Sequence, residues 1–398
     1  MKRAQVILCL PAIAGFTAVS NPAHADTSMK IYGFAEADYI YDSKRVDPSW
    51  ESAFRPSKIA VPEGEFGSNG QSDVSVKQSR FGVSGSHPTD TSFGDVSFKF
   101  EFDLFGVGAD EGQTTFRLRH AYGEWGPLLA GQTHSLFMDI DVFPNVIDYW
   151  GPAGLVFLRT PQLRYTPYRT EHAQFAIAVE RPGNDIDPGT IRTVDPDLGA
   201  NIESDEKMPD FTAHYLYNDD WGHAQLAGIL RRVGYDTLST PSNAPKGAQV
   251  GWGINASGHL NLFKKDKLIG QVVYGNGIAS YMNDGGVDLA AQADQSGIRP
   301  RAVPLTGVVA YYDRAWNSCL TSAFGYSFTQ VDNANLQEPS AFRKGQYASM
   351  NLLWTPTDDI LIGGEMLWGK RTDFNRESGD DIRFQFSVKY SWGKKFEI

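Results

Sequence analysis

The run VSFKFEFDLF (Val96–Phe105) leaves a chain little freedom. Successive side chains of a strand point to opposite faces. Val96, Phe98, Phe100, Phe102 and Leu104 therefore make one greasy face, and Ser97, Lys99, Glu101 and Asp103 the other. The same habit governs KIYGFAEADYIY (Lys30–Tyr41), with Glu36 and Asp38 on the polar side. In RFQFSVKYSW (Arg383–Trp392), Phe384, Phe386, Val388, Tyr390 and Trp392 oppose Arg383, Gln385, Ser387 and Lys389. Such runs are about ten residues long, more than the ~5–6 of a soluble strand and enough for a tilted strand to cross a bilayer. In TFRLRHAYGEW (Thr115–Trp125), Phe116 and Leu118 alternate with Arg117 and Arg119, but His120 and Glu124 then fall on the face of Leu118 and Tyr122. Nearness to the turn at Trp125–Pro127, a bulge, or a subunit contact would each account for that break.

Alternation alone also fits a soluble sandwich with one wet face. The connections separate the two. Tight links rich in Gly, Pro, Asn and Asp fall between Ser86 and Asp95 and at Trp125–Pro127, Pro167–Thr170, Asn218–Gly222, Lys264–Lys267, Asp313–Asn317 and Thr355–Asp359. Between them lie Asp42–Ser75, Gly106–Gln113, Asp139–Phe157, Arg181–Asp210, Asp236–Ala248, Ser280–Ala302, Asn333–Lys344 and Thr372–Asp381, mostly much longer. Both ends of a sandwich meet the same water, so it has no reason to alternate short with long. An outer-membrane barrel does, with short periplasmic turns and long outer loops. Without water in the bilayer every strand must be paired, so the sheet must close. The expected fold is all-β: a transmembrane antiparallel β-barrel of about 16 strands, the size that leaves a water-filled lumen.

The N-terminus fits that address. MKRAQVILCLPAIAGFTAVSNPAHA places Lys2 and Arg3 before an apolar run from Ala4 to Val19 and ends on Ala23-His24-Ala25. That is a secretory signal peptide cut after Ala25. The expected division is residues 1–25 as signal and 26–398 as one outer-membrane barrel domain in a Gram-negative cell. Cleavage removes two bases and no acid, taking the formal charge from −11 to −13. Such acidity disfavours a nucleic-acid partner. Cys319 is left without a mate, so no intramolecular disulfide is expected.

Several phrases carry a resemblance to the DcaP-like family of trimeric outer-membrane porins. They are MKIYGF (Met29–Phe34), QSRFGV (Gln78–Val83), FRLRHAY (Phe116–Tyr122), GQTHSLFMDID (Gly131–Asp141), GPAGLVFLRTPQLRYT (Gly151–Thr166) and FQFSVKY (Phe384–Tyr390). The likeness is densest from Gln78 to Thr166. It implies a homotrimer, a pore narrowed by an infolded third loop, and passive uptake of small anionic solutes such as dicarboxylates and aromatic acids. Outer-membrane lipids and the barrel-assembly machinery are the other implied partners, and no cofactor is implied. Some family members carry a coiled-coil segment before the barrel. Here the mature chain enters its first strand directly, so a trimer would rest on barrel walls, and the last strand runs past Trp392 into GKKFEI.

Parity and the family likeness together select Arg80, Arg117, Arg119, Arg159 and Arg164 as pore-lining, substrate-binding candidates. A guanidinium binds a carboxylate through two parallel hydrogen bonds and stays charged. The alternative is that these arginines only neutralise lumen acids such as Glu36, Asp38, Glu101 and Asp103. The third long link carries Asp139, Asp141, Asp148, Tyr149 and Trp150 and is the candidate constriction loop. Folded inward, its acids are expected to oppose the wall cations and set up a transverse field.

Two rival classes remain. An outer-membrane barrel enzyme of the lipase or protease type needs a nucleophile–His or Asp–His set. No GxSxG or HExxH occurs, and His87, His120, His134, His172, His214, His223 and His259 are scattered, so no catalytic set and no metal site is expected. A soluble exported β-sandwich binding protein would partition with the periplasm rather than with membranes.

Overall fold

The computed structural model describes residues 27–106, 115–263 and 265–397. The expected signal peptide and most of the link Gly106–Gln113 lie outside the described residues. Eighteen segments hydrogen-bond in one sheet. Two of them are halves of the second strand and one, Ile202–Ser204, belongs to a loop, which leaves sixteen barrel strands. In chain order these are β1 (Ser28–Asp42), β2 (Gln71–Ser75 and Arg80–His87), β3 (Val96–Gly106), β4 (Thr115–Trp125), β5 (Leu128–His134), β6 (Arg159–Arg169), β7 (Ala173–Glu180) and β8 (Asp210–Asp219). They continue with β9 (Gly222–Thr237), β10 (Gly247–Leu262), β11 (Asp266–Asn276), β12 (Pro304–Ala315), β13 (Leu320–Val331), β14 (Phe342–Thr357), β15 (Ile360–Asp373) and β16 (Ser378–Glu397). Each strand pairs antiparallel with its sequence neighbour. The sheet closes where β1 pairs with β16, from Ser28↔Glu397 to Asp42↔Arg383.

The faces are sorted as a bilayer requires. Phe98, Phe100, Phe384, Phe386 and Tyr390 lie exposed on the outer wall, whereas Asp103, Arg383 and Ser387 are fully buried inside. A soluble sheet does the reverse with its apolar side. This inside-out arrangement rules out the exported sandwich. Short turns all lie at the end where β1 begins and β16 finishes, and the long links lie at the other.

β4 shows why alternation breaks at His120. Against β3, Glu101 pairs with His120 and Phe102 with Leu118, so Arg119 is one extra residue. This β-bulge turns Arg119 and His120 to the same side, and both are buried. Of the three explanations the sequence left open, the bulge is the one the backbone adopts. Inside, His120 Nδ1 meets Thr133 Oγ1 at 3.1 Å.

The apolar core lies within the lumen, between infolded loops and the inner wall of β9–β15. Phe137, Val156, Ile229, Val273, Tyr281 and Leu305 form one cluster. Phe54, Val142, Leu155, Val309, Tyr311 and Tyr347 form another. On the long-loop side, Ile186–Asp187, Leu289–Asp294 and Gly297–Ala302 make a separate three-stranded sheet.

Candidate functional site

The third long link, joining β5 to β6, enters the lumen and is fastened there by side chains from many strands. Asn255 donates to Phe137 O at 2.9 Å and Gln225 to Met138 O at 3.0 Å. Asn351 donates to Asn145 O at 2.8 Å, and Gln78 and Gln385 donate to Ile147 O at 2.8 and 3.2 Å. Glu365 accepts the N–H groups of Ile147 and Asp148 at 2.7 and 2.9 Å. The returning limb gives its Gly154 N–H to Ser327 Oγ at 2.7 Å and takes Gln271 on Gly154 O at 2.9 Å. Each bond contributes about 1 kcal/mol net, and without them buried loop amides would be orphaned. Residue 154 has to be glycine, because a Cβ there would meet Val308 O and Phe328 O at 2.5 Å.

The loop acids make no ion pair with the five wall arginines among the described residues. Asp139 is buried and accepts Ser257 Oγ at 2.6 Å, with His223 Nε2 at 2.8 Å. Asp141 is exposed. Asp148 accepts the Phe54 and Gly151 N–H groups at 3.0 and 2.9 Å and the Tyr347 hydroxyl at 3.2 Å. Burial pushes its carboxyl above the ordinary range. Of the five loop candidates, Tyr149 is the one in contact with the arginines among the described residues: stacked on Phe105 at 3.8 Å, it places its hydroxyl on Arg117, 3.0 Å from Arg119 Nη1 and 2.9 Å from Asp103. Trp150 ties the loop to the sixth long link through Asn283 O at 2.6 Å. It also meets Trp50 edge-on with ring centroids 4.8 Å apart, and the Arg55 guanidinium lies 4.2 and 4.5 Å from the two indole rings.

Four of the five wall arginines gather on β2, β4 and β6. Arg117 grips Asp103 through Nε at 3.0 Å and Nη2 at 2.7 Å. Arg119 bridges Glu101 at 2.7 Å and Asp103 at 2.9 Å. Arg80 is 3.7 Å from Glu101, which Lys99 approaches at 3.3 Å. Arg159 stands differently: it lies over the Phe157 ring at 5.2 Å, and no carboxylate lies within ion-pair distance among the described residues. Its Nη1 is buried without a hydrogen-bond partner there. Arg164, at the far side of β6, donates to Gln162 Oε1 at 3.0 Å and His134 O at 2.6 Å rather than to an acid. Among the described residues, five cations, Lys99 included, thus surround two carboxylates, an excess of three positive charges.

Sequence reasoning missed the fasteners. Gln78, Gln385 and Glu365 carry lumen parity, which tells nothing about the loop that they hold. Asn283 and Asp284 sit in a long link without periodicity. Asp284 nevertheless takes Arg55 at 3.1 Å and the Ser57 N–H at 2.8 Å, locking the first long link to the sixth.

A closed sixteen-stranded barrel with apolar walls, a charged lumen and an infolded third loop defines an outer-membrane channel of the porin class. Its sequence places it more narrowly. The family model described as DcaP outer membrane protein matches residues 15–392, and the chain belongs to that family. The outer membrane channel DcaP of Acinetobacter baumannii is similar in fold, with a TM-score of 0.78 at 23% identity, covering 93% of this chain and 99% of that one. An anion-selective porin from Comamonas acidovorans gives 0.57 at 9% identity, over 92% and 100% of the two chains. OmpT of Vibrio cholerae, solved in a trimer form, gives 0.54 at 10%, over 92% and 100%. No curated protein sequence matches the chain. The Acinetobacter neighbour is described as a channel and the Comamonas neighbour as a porin.

Proposed function

We propose that the chain forms a passive, anion-preferring pore for small carboxylates, dicarboxylates or aromatic acids, and works as a homotrimer. The observation that carries the reading is the unbalanced arginine wall: Arg159 and Arg164 have no acidic partner among the described residues, while Arg80, Arg117 and Arg119 share two. A permeating carboxylate supplies the missing acceptor, and Arg159 Nη1 is a ready donor. The third loop serves as the constriction, with Tyr149 rather than the loop acids at the arginines. Acid-rich outer loops work against anions only at long range, since salt screens charge beyond about 8 Å. Low-dielectric walls at a narrow point focus the field of fixed cations. The structurally similar Comamonas protein is an anion-selective porin and the structurally similar Vibrio protein has a trimer form, and both agree with this reading.

The test is the reversal potential of the purified protein in a planar bilayer under a salt gradient. Anion preference, with conductance blocked by a dicarboxylate, is the expected result. Cation preference would sink the proposal. Cross-linking in native membranes that gives only a monomer would remove the trimer.

A further inference from the structure

Near the turn end of the lumen, where the first stretch of the third loop dips to the start of β9, three potential metal ligands converge from distant parts of the chain. Asp139 and Asp141 come from the loop and His223 from β9, and their ligand atoms all lie within 4.8 Å of one another. His223 Nε2 and Asp139 Oδ2 are 2.8 Å apart, and both side chains are essentially closed to solvent. Asp141 is exposed, so the group has a buried half and a wet half.

The hydrogen bonds around the group resemble the outer shell of a metal site. His223 Nδ1 lies 2.7 Å from Asn218 Oδ1. Donation of the Nδ1 hydrogen to that amide fixes the ring and leaves the Nε2 lone pair aimed at a carboxylate oxygen, which is itself an acceptor. Something positive has to stand between them, either a proton or a metal ion. Ser257 Oγ holds Asp139 from behind at 2.6 Å, and the Asp141 N–H holds its other oxygen at 3.1 Å. A second imidazole is close by. His259 on β10 stacks on His223 with ring centroids 5.6 Å apart, and its Nδ1 is buried without a partner among the described residues.

We propose that Asp139, Asp141 and His223 bind a divalent first-row transition ion, with His259 as the candidate fourth donor. One imidazole nitrogen with two carboxylates suits zinc and its neighbours better than calcium or magnesium, which take all-oxygen sets. Metal–ligand bonds of about 2.0–2.2 Å in a tetrahedral site set the donors about 3.3–3.6 Å apart, so closure asks the exposed Asp141 to swing inward. Lys267 on the adjacent strand opposes the ion, and the second carboxylate offsets it. The ion would staple the root of the third loop to β9 and place a positive charge beside the lumen. This site rests on the loop and barrel geometry and not on the direction of ion preference.

The experiment is calorimetric titration of the purified full-length protein in detergent with zinc chloride. The expected result is one saturable zinc per chain, weakened about tenfold or more in both Asp141→Asn and His223→Gln, and unchanged in His87→Gln, whose exposed ring lies on β2 beside Thr27. Asp141 is exposed, so its variant tests binding without disturbing the core. A heat-modifiable folded band from each variant confirms assembly. No saturable binding, or binding untouched by Asp141→Asn, overturns the site. Because the readout is binding and not current, failure here is separate from failure of the anion-channel proposal.

Discussion

Arg159→Gln is the sharpest probe of the lumen wall. Arg117 and Arg159 each carry one charge, but Arg117 is clamped on Asp103 by two hydrogen bonds, whereas Arg159 has only the Phe157 ring and an unpartnered Nη1. Removing Arg159 lowers the local excess from three to two and deletes the guanidinium of the β2–β4–β6 cluster that has no acidic partner among the described residues. For an ion about 5 Å away, Coulomb's law gives ~0.8 kcal/mol in a water-like medium and ~3 kcal/mol at an effective dielectric of about 20. Even the smaller value is close to a fourfold change in a permeability ratio, and the charge acts in opposite senses on anion and cation. Reversal potentials in a planar bilayer should therefore show the anion-to-cation ratio falling at least about fourfold. Arg117→Gln should do less to block by a dicarboxylate, since Arg119 still holds Asp103. As a control, Asp197→Asn on an exposed outer-loop helix should leave the ratio unchanged at high salt. A silent Arg159 variant, or a loop acid that sets the ratio, would show that the wall arginines are structural partners only.

Three further outcomes follow from the geometry. Phe386→Arg on the lipid face should cost about 2–4 kcal/mol near the bilayer midplane and sharply reduce the folded band on a gel, whereas inward Gln385→Leu should still assemble; equal damage would reject the assigned parity. Gly154→Val should push the third loop off β12 and β13, at a cost of about 1–3 kcal/mol, and raise single-channel conductance; an unchanged channel would mean that the loop does not narrow the pore. Trypsin added to intact cells should cut after Arg192, exposed in a long link, and spare Lys265 in a tight turn; cleavage only at Lys265 would invert the sidedness.

The barrel was legible in the sequence because its requirements are local. A strand in lipid must keep one face apolar over about ten residues, and a two-ended barrel separates short turns from long loops. Both patterns can be read without knowing any long-range contact, as in Val96–Phe105 and Arg383–Trp392. Parity likewise put Arg117 and Arg119 inside. What each inward side chain meets depends on strands far apart in the chain, which periodicity does not encode. Arg383 closes on Asp42 at 2.6 Å across the β1–β16 seam, Gln385 ends on a loop carbonyl, and Asp148 is buried beside Phe54, where Arg383 rather than a candidate wall arginine is its neighbouring cation. His120 needed the bulge at Arg119, an event of pairing between two strands. The histidines looked scattered because Asp139 and His223 are separated by 84 positions, and only the infolding of the third loop sets them 2.8 Å apart. Period and polarity determined the container; the loop's path through it, fixed by hydrogen bonds from many strands at once, decided which charges meet and which stay free.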